Sequence, residues 1–128
     1  MAKTPKAQPS EAELAILRTL WSKGPCSVRD VHESLGGDDR TRYTTTLKLM
    51  QRMAEKGLVQ RDESQRSHLY TADVQEDEVE RALVSRFVNR MFEGSVQKLV
   101  LHALEAGDVS DEELAEIKRQ LKQWGNRT

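Results

Sequence analysis

Cysteine is nearly missing from this sequence: Cys26 stands alone among 128 residues, so no internal disulfide can form. Aromatic residues are scarce at 5%, and hydrophobic residues reach only 37% against 32% charged. That apolar share is thin for a short chain folding alone, and a partner subunit would supply buried surface that one copy lacks. No apolar run approaches the roughly 18 residues that a membrane span needs, which argues against direct membrane insertion. The opening Met1-Ala2-Lys3-Thr4-Pro5-Lys6 is basic with no apolar stretch behind it, so no secretory signal is expected. His32, His68 and His102 are dispersed, no Cys/His cluster has metal-ligand spacing, and a shared metal site would need a dimer to assemble it. Ser/His/Asp constellations and Gly-rich phosphate loops are lacking as well. The expectation is a cytoplasmic protein that is not an enzyme and uses no metal or cofactor.

What is present is organised in three stretches. Residues 1–9 hold two of the three prolines and no apolar period, which predicts a flexible arm. Residues 10–73 predict a small domain of three helices and a hairpin. Ser10-Glu11-Ala12-Glu13 forms a capping box ahead of Leu14, Leu17, Leu20 and Trp21, and Gly24-Pro25 ends that helix. Ser27 caps a shorter helix with Val28, Val31 and Leu35 on one face, closed by Gly36-Gly37; Gly36–Arg40 is a polar connector. Thr41 to Lys56 predicts a third helix, with Leu47, Met50, Met53 and Ala54 inward. At about 100° per residue its opposite face carries Thr41, Thr45, Lys48 and Arg52, flanked by Thr44 and Gln51. After Gly57, the runs Leu58–Arg61 and His68–Thr71 are β-prone, with a polar turn at Asp62–Ser67 whose tip holds Gln65 and Arg66.

Residues 74–128 change style. Acidic residues from Glu76 to Glu80 open a helix whose stripe runs Val79, Leu83, Phe87, Met91; Val84, Val88 and Phe92 widen it. Gly94 breaks it, and Ser95 precedes a helix with Val96, Leu99, Val100, Ala103 and Leu104. Ser110-Asp111-Glu112-Glu113 caps a last helix carrying Leu114, Ile117, Leu121 and Trp124 on one seam. Three such helices cannot bury stripes this wide among themselves, so Val79, Leu83, Phe87, Met91, Leu99, Leu104, Leu114, Ile117 and Leu121 are candidate dimerisation residues.

Charge is unevenly placed. Residues 1–72 hold 12 Lys/Arg against 9 Asp/Glu, a net of +3, while residues 73–128 hold 8 against 12, a net of −4. Within Arg40–Arg66 the balance is 7 to 3, or +4. A charged helix face is ordinarily just a solvated one. Here the helix order, the hairpin, the threonine cluster and the cations coincide, and together they describe a winged helix-turn-helix. Lys and Arg on such a helix bond guanine edges in the major groove, and Thr methyls meet thymine methyls. Ser27 and Arg29 would hold a phosphate at the preceding helix, and Arg66 at the hairpin tip would reach the backbone or a minor groove. His68 fits a backbone or base contact. Tyr70 either touches DNA or packs under the wing, with packing favoured; Trp21 and Trp124 fill core or interface volume.

These residues also resemble a known family. Ala12–Leu17 with Leu20-Trp21, Pro25 through Val28–Val31 and Leu35, Tyr43-Thr44-Thr45-Thr46-Leu47 with Gln51-Arg52-Met53, and Lys56–Val59 look like the penicillinase-repressor (BlaI/MecI) family of winged-helix regulators. Arg66 with Tyr70 resembles the return of its wing, and the match covers residues 10–125. The resemblance implies a mainly α fold with a hairpin wing and a C-terminal helical dimerisation region. It implies a homodimeric repressor on a palindromic double-stranded operator, with Ser27, Arg29, Arg42, Tyr43, Thr44, Thr45, Thr46, Lys48, Gln51, Arg52, Arg66 and His68 as DNA-binding candidates. Members governed by a membrane β-lactam sensor protease are cut at an Asn-Phe bond in the dimerisation region. This chain has His102-Ala103 at that place, so release follows a cut nearby or another signal. The paired Cys-x-Cys motifs of copper-responsive relatives are missing. Two readings from other classes stand beside this one: a winged-helix adaptor whose third helix meets a protein, and a thiol-based redox regulator whose Cys26 is activated by the nearby helix N-terminus, although a small buried thiol is the favoured reading of that residue.

Overall fold

Ser10 starts the first helix as the sequence predicts. Its hydroxyl accepts from the Glu13 amide at 3.2 Å, and the Glu13 carboxylate accepts from the Ser10 amide at 2.9 Å. The computed structural model describes residues 8–37 and 40–126, with backbone alone at Arg40 and Thr41. Helix α1 spans Glu11–Lys23 and ends at Gly24, whose φ of +83° is the left-handed region that glycine favours. Helix α2 spans Val28–Ser34 behind a Ser27–Asp30 capping box, and α3 spans Arg40–Lys56. Residues 1–7 of the expected arm and residues 38–39 of the expected connector lie outside the described residues. Of the arm's end, Pro9 is buried and Gln8 Nε2 donates to the Ala82 carbonyl at 3.0 Å, so these two are tied down.

The hairpin pairs β1 (Val59–Asp62) with β2 (Leu69–Ala72) antiparallel, in the register Val59↔Ala72, Arg61↔Tyr70 and Asp62↔Leu69. Both strands begin one residue later than the sequence predicts. Leu58 is spent on the helix end instead: its amide donates to the Met53 carbonyl at 2.9 Å, and its carbonyl accepts from the Asp73 amide. Cys26 forms a two-way bridge with Tyr70, Tyr70 N to Cys26 O at 2.7 Å and Cys26 N to Tyr70 O at 3.0 Å, which pins the hairpin to the α1–α2 link.

Helix α4 spans Glu76–Met91, α5 Val96–Ala106 and α6 Asp111–Gly125. The chain divides into compact units 1–84 and 85–128, with the division inside α4. The reason is packing. The first unit's core joins Ile16, Leu17, Leu20, Val31, Met50, Met53, Leu58 and Tyr70, and Val79 is fully buried in it with Leu83 packed against it. Val79 is therefore core and not a dimer contact. Leu35, expected on the inward face of α2, is 44% exposed, because it is the C-cap residue of a seven-residue helix and has turned off that face. Trp21 is half-buried, with Nε1 donating to the Val74 carbonyl at 2.9 Å.

In the second unit Val88 is buried, and Phe92 meets Phe87 edge-to-face and stacks on His102 at 5.5 Å between ring centres. Ser95 Oγ accepts from the Lys98 amide and Ser110 Oγ from the Glu113 amide, capping α5 and α6. Neither α5 nor α6 has a buried residue. Phe87, Met91, Leu104, Leu121 and Trp124 are exposed, and Leu99, Leu114 and Ile117 are half-buried.

Candidate nucleic-acid interface

Three elements converge on one side of the first unit. The start of α2 supplies Ser27, Val28 and Arg29; α3 supplies Tyr43, Leu47 and Gln51; the hairpin supplies Arg61, Arg66, Ser67, His68 and Tyr70. Together they line a cleft of about 370 Å³. Its rim carries three arginines and, among the described residues that line it, no carboxylate. That is a surface suited to a polyanion. Beside it, Arg42, Thr44, Thr45, Lys48 and Arg52 are exposed along α3.

The local fold explains the placement. Met50 and Met53 are fully buried, which fixes the rotation of α3 and sends Lys48, Gln51 and Arg52 outward. The Arg29 guanidinium lies 5.3 Å from the centre of the Tyr43 ring, a cation–π contact that joins α2 to α3. Tyr70 is buried beneath the wing, which decides between the two readings of that residue in favour of packing.

One expected contact lies elsewhere. Thr46 is buried, and its hydroxyl donates to the Arg42 carbonyl at 3.0 Å, facing α2 rather than the cleft. It follows Tyr43 by three residues and so shares the inner edge of the helix. Arg61, conversely, belongs to the cleft and was missed by sequence reasoning. It pairs with Tyr70 across the ladder, and the Tyr70 hydroxyl first, then Glu63, hold its guanidinium still more firmly protonated. Cys26 is buried, as the favoured reading of that residue expects: burial pushes its thiol up, the Asp30 carboxylate adds to this, and Lys23 only partly offsets them.

The sequence model described as penicillinase repressor matches residues 9–123. The chain belongs to the penicillinase repressor family. This is a family of transcriptional repressors and not of enzymes. The chain is 32% identical over 123 residues to the transcriptional regulator BlaI of Mycobacterium tuberculosis (strain CDC 1551 / Oshkosh), covering 91% of this chain and 88% of that one. With the penicillinase repressor of Bacillus licheniformis it shares 27% identity over 120 residues, 94% of each. The PcaV transcriptional regulator from Streptomyces coelicolor has the same fold, with a TM-score of 0.50 at 17% identity over 97% of this chain and 79% of that one. The winged-helix architecture of this penicillinase repressor relative thus follows from both its elements and its likeness to solved regulators. Among the described residues no helix is long and apolar enough to cross a membrane.

Proposed function

We propose that the chain is a homodimeric transcriptional repressor whose α3 enters the major groove of a palindromic operator, one half-site per protomer. The observation that carries this reading is the convergence of Arg29, Gln51, Arg61, Arg66 and His68 on one cleft beside the exposed row Arg42, Thr44, Thr45, Lys48 and Arg52. A helix so exposed fits the groove, the start of α2 faces one phosphate strand, and the wing faces the neighbouring backbone. The family supports the role, since the relatives are named penicillinase repressor and transcriptional regulator. The bare apolar faces of α5 and α6 support the dimer, and a palindrome matches a twofold axis. DNA as partner implies a cytoplasmic protein. Release by a membrane-sensor protease would act in the dimerisation region; His102 and Ala103 are exposed on α5, where a cut would divide the helices that hold two copies together.

The test is duplex binding by gel shift or anisotropy, using a palindromic duplex selected by the protein from a random pool. Lys48→Ala and Arg52→Ala should each weaken binding by about 1–3 kcal/mol and relax sequence choice if the side chain meets a base. Parental affinity in the double variant overturns the assignment of α3. Absence of salt-sensitive affinity for any duplex favours an adaptor instead.

A further inference from the structure

His32 takes no part in the reading above, yet it lies directly behind the helix proposed to read DNA. It is 5% exposed, in the last turn of α2. Its Nδ1 is 3.3 Å from Thr46 Oγ1. A threonine hydroxyl has one hydrogen, and Thr46 gives it to the Arg42 carbonyl. Toward the ring the hydroxyl can therefore only accept, which places the imidazole proton on Nδ1. Nε2 is then a bare lone pair, buried and without a hydrogen-bond partner among the described residues. The ring also meets Tyr43 edge-to-face, with centres 5.5 Å apart, and Tyr43 in turn carries Arg29. Gly37 closes over it. A Cβ at that position would stand 2.4 Å from His32 Cε1 and 2.9 Å from Nε2, so the turn passes only as glycine.

A buried nitrogen left unpaired is a cost to the fold, and a leucine of similar volume would occupy the site without it. Stability is thus a poor reason for an imidazole here. What the imidazole uniquely makes is a directed bond to Thr46 combined with a ring contact to Tyr43. Those two residues lie three apart on α3, on the side that abuts α2, amid threonines that form helix weakly. We infer that His32 is a positioning residue for recognition: it sets the rotation of the first turns of α3 on α2, and with it the aim of Arg42, Thr44 and Thr45. This rests on the DNA-binding reading proposed above.

The experiment compares the selected palindromic duplex with a scrambled one of equal length, by anisotropy, alongside thermal melting. His32→Leu should melt close to the parent yet discriminate the two duplexes about tenfold less, with its affinity for the scrambled duplex and its salt dependence unchanged. Thr46→Val should lose discrimination similarly, and the double variant should be no worse than either single one. His32→Asn, whose Nδ2–H takes the place of Nδ1–H, should recover most of the loss; His32→Gln, longer by one methylene, should not. The inference is overturned if His32→Leu discriminates like the parent, or if discrimination across the variants merely follows melting temperature. If the parent itself shows no salt-sensitive duplex binding, the DNA-binding reading fails first, and that result is distinct from either.

Discussion

Glu13 illustrates how one residue can serve a helix end and the core together. It is an acid at 2% exposure, bound to the Ser10 amide at 2.9 Å and to Lys56 Nζ at 3.0 Å. Burial pushes its carboxyl up, but the Ser10 amide and the Lys56 ammonium outweigh burial and hold it below the ordinary range. A carboxyl lowered on folding contributes stability above its unfolded pKa and loses it as pH falls through the folded one. Glu13→Gln keeps an acceptor for Ser10 and removes the charge opposite Lys56. With Lys56 one-third exposed and able to hydrate, the expected cost is about 1 kcal/mol near neutral pH. Thermal melts should show that gap between parent and variant closing once the pH falls below the usual carboxylate range. A gap that persists in acid would show that shape, and not charge, makes the contact.

At the scale of elements the weight falls on α5 and α6. Leu121 is 60% exposed and Trp124 63%, on the same seam as the half-buried Leu114 and Ile117. Burying a leucine is worth about 1.5–3 kcal/mol, and a twofold interface counts it twice. Leu121→Glu should therefore weaken dimerisation roughly a hundredfold or more, read as a shift to monomer in sedimentation velocity with helical content retained. A variant that stays dimeric places the interface elsewhere. Elements of this kind were legible because caps and periods mark them: Ser10, Ser27, Ser95 and Ser110 each start a helix where the sequence predicts. What escaped was phase and allegiance. Whether Leu58 ends a helix or begins a strand depends on a bond to Met53. Val79 has the period of its own helix's stripe, so nothing local reveals that its packing partners lie in the preceding domain. Thr46 and His32 needed each other: neither a lone threonine on a polar helix nor a lone histidine announces a buried pair.

For the whole molecule, the structure relocates the charge asymmetry. Divided at residue 84, the first unit holds 13 Lys/Arg against 14 Asp/Glu and the second 7 against 7, nets of −1 and 0. The acidic opening of α4 belongs to the unit proposed to bind DNA, where Glu76 and Glu80 pair with Arg18 of α1 at 3.5 and 3.9 Å. Attraction to DNA then rests on where the cations are, around the cleft, and not on net charge. Two substitutions separate these ideas. Arg66→Ala removes one cation from the cleft and should reduce the slope of log affinity against log salt by about one per protomer. The pair Glu76→Gln and Glu80→Gln makes the unit more positive without touching the cleft, so it should speed association slightly and leave the slope as it was. Titrations over a salt series measure both. Should the glutamine pair move the slope as far as Arg66→Ala does, binding follows overall charge, and the cleft is not the phosphate contact that its geometry supports.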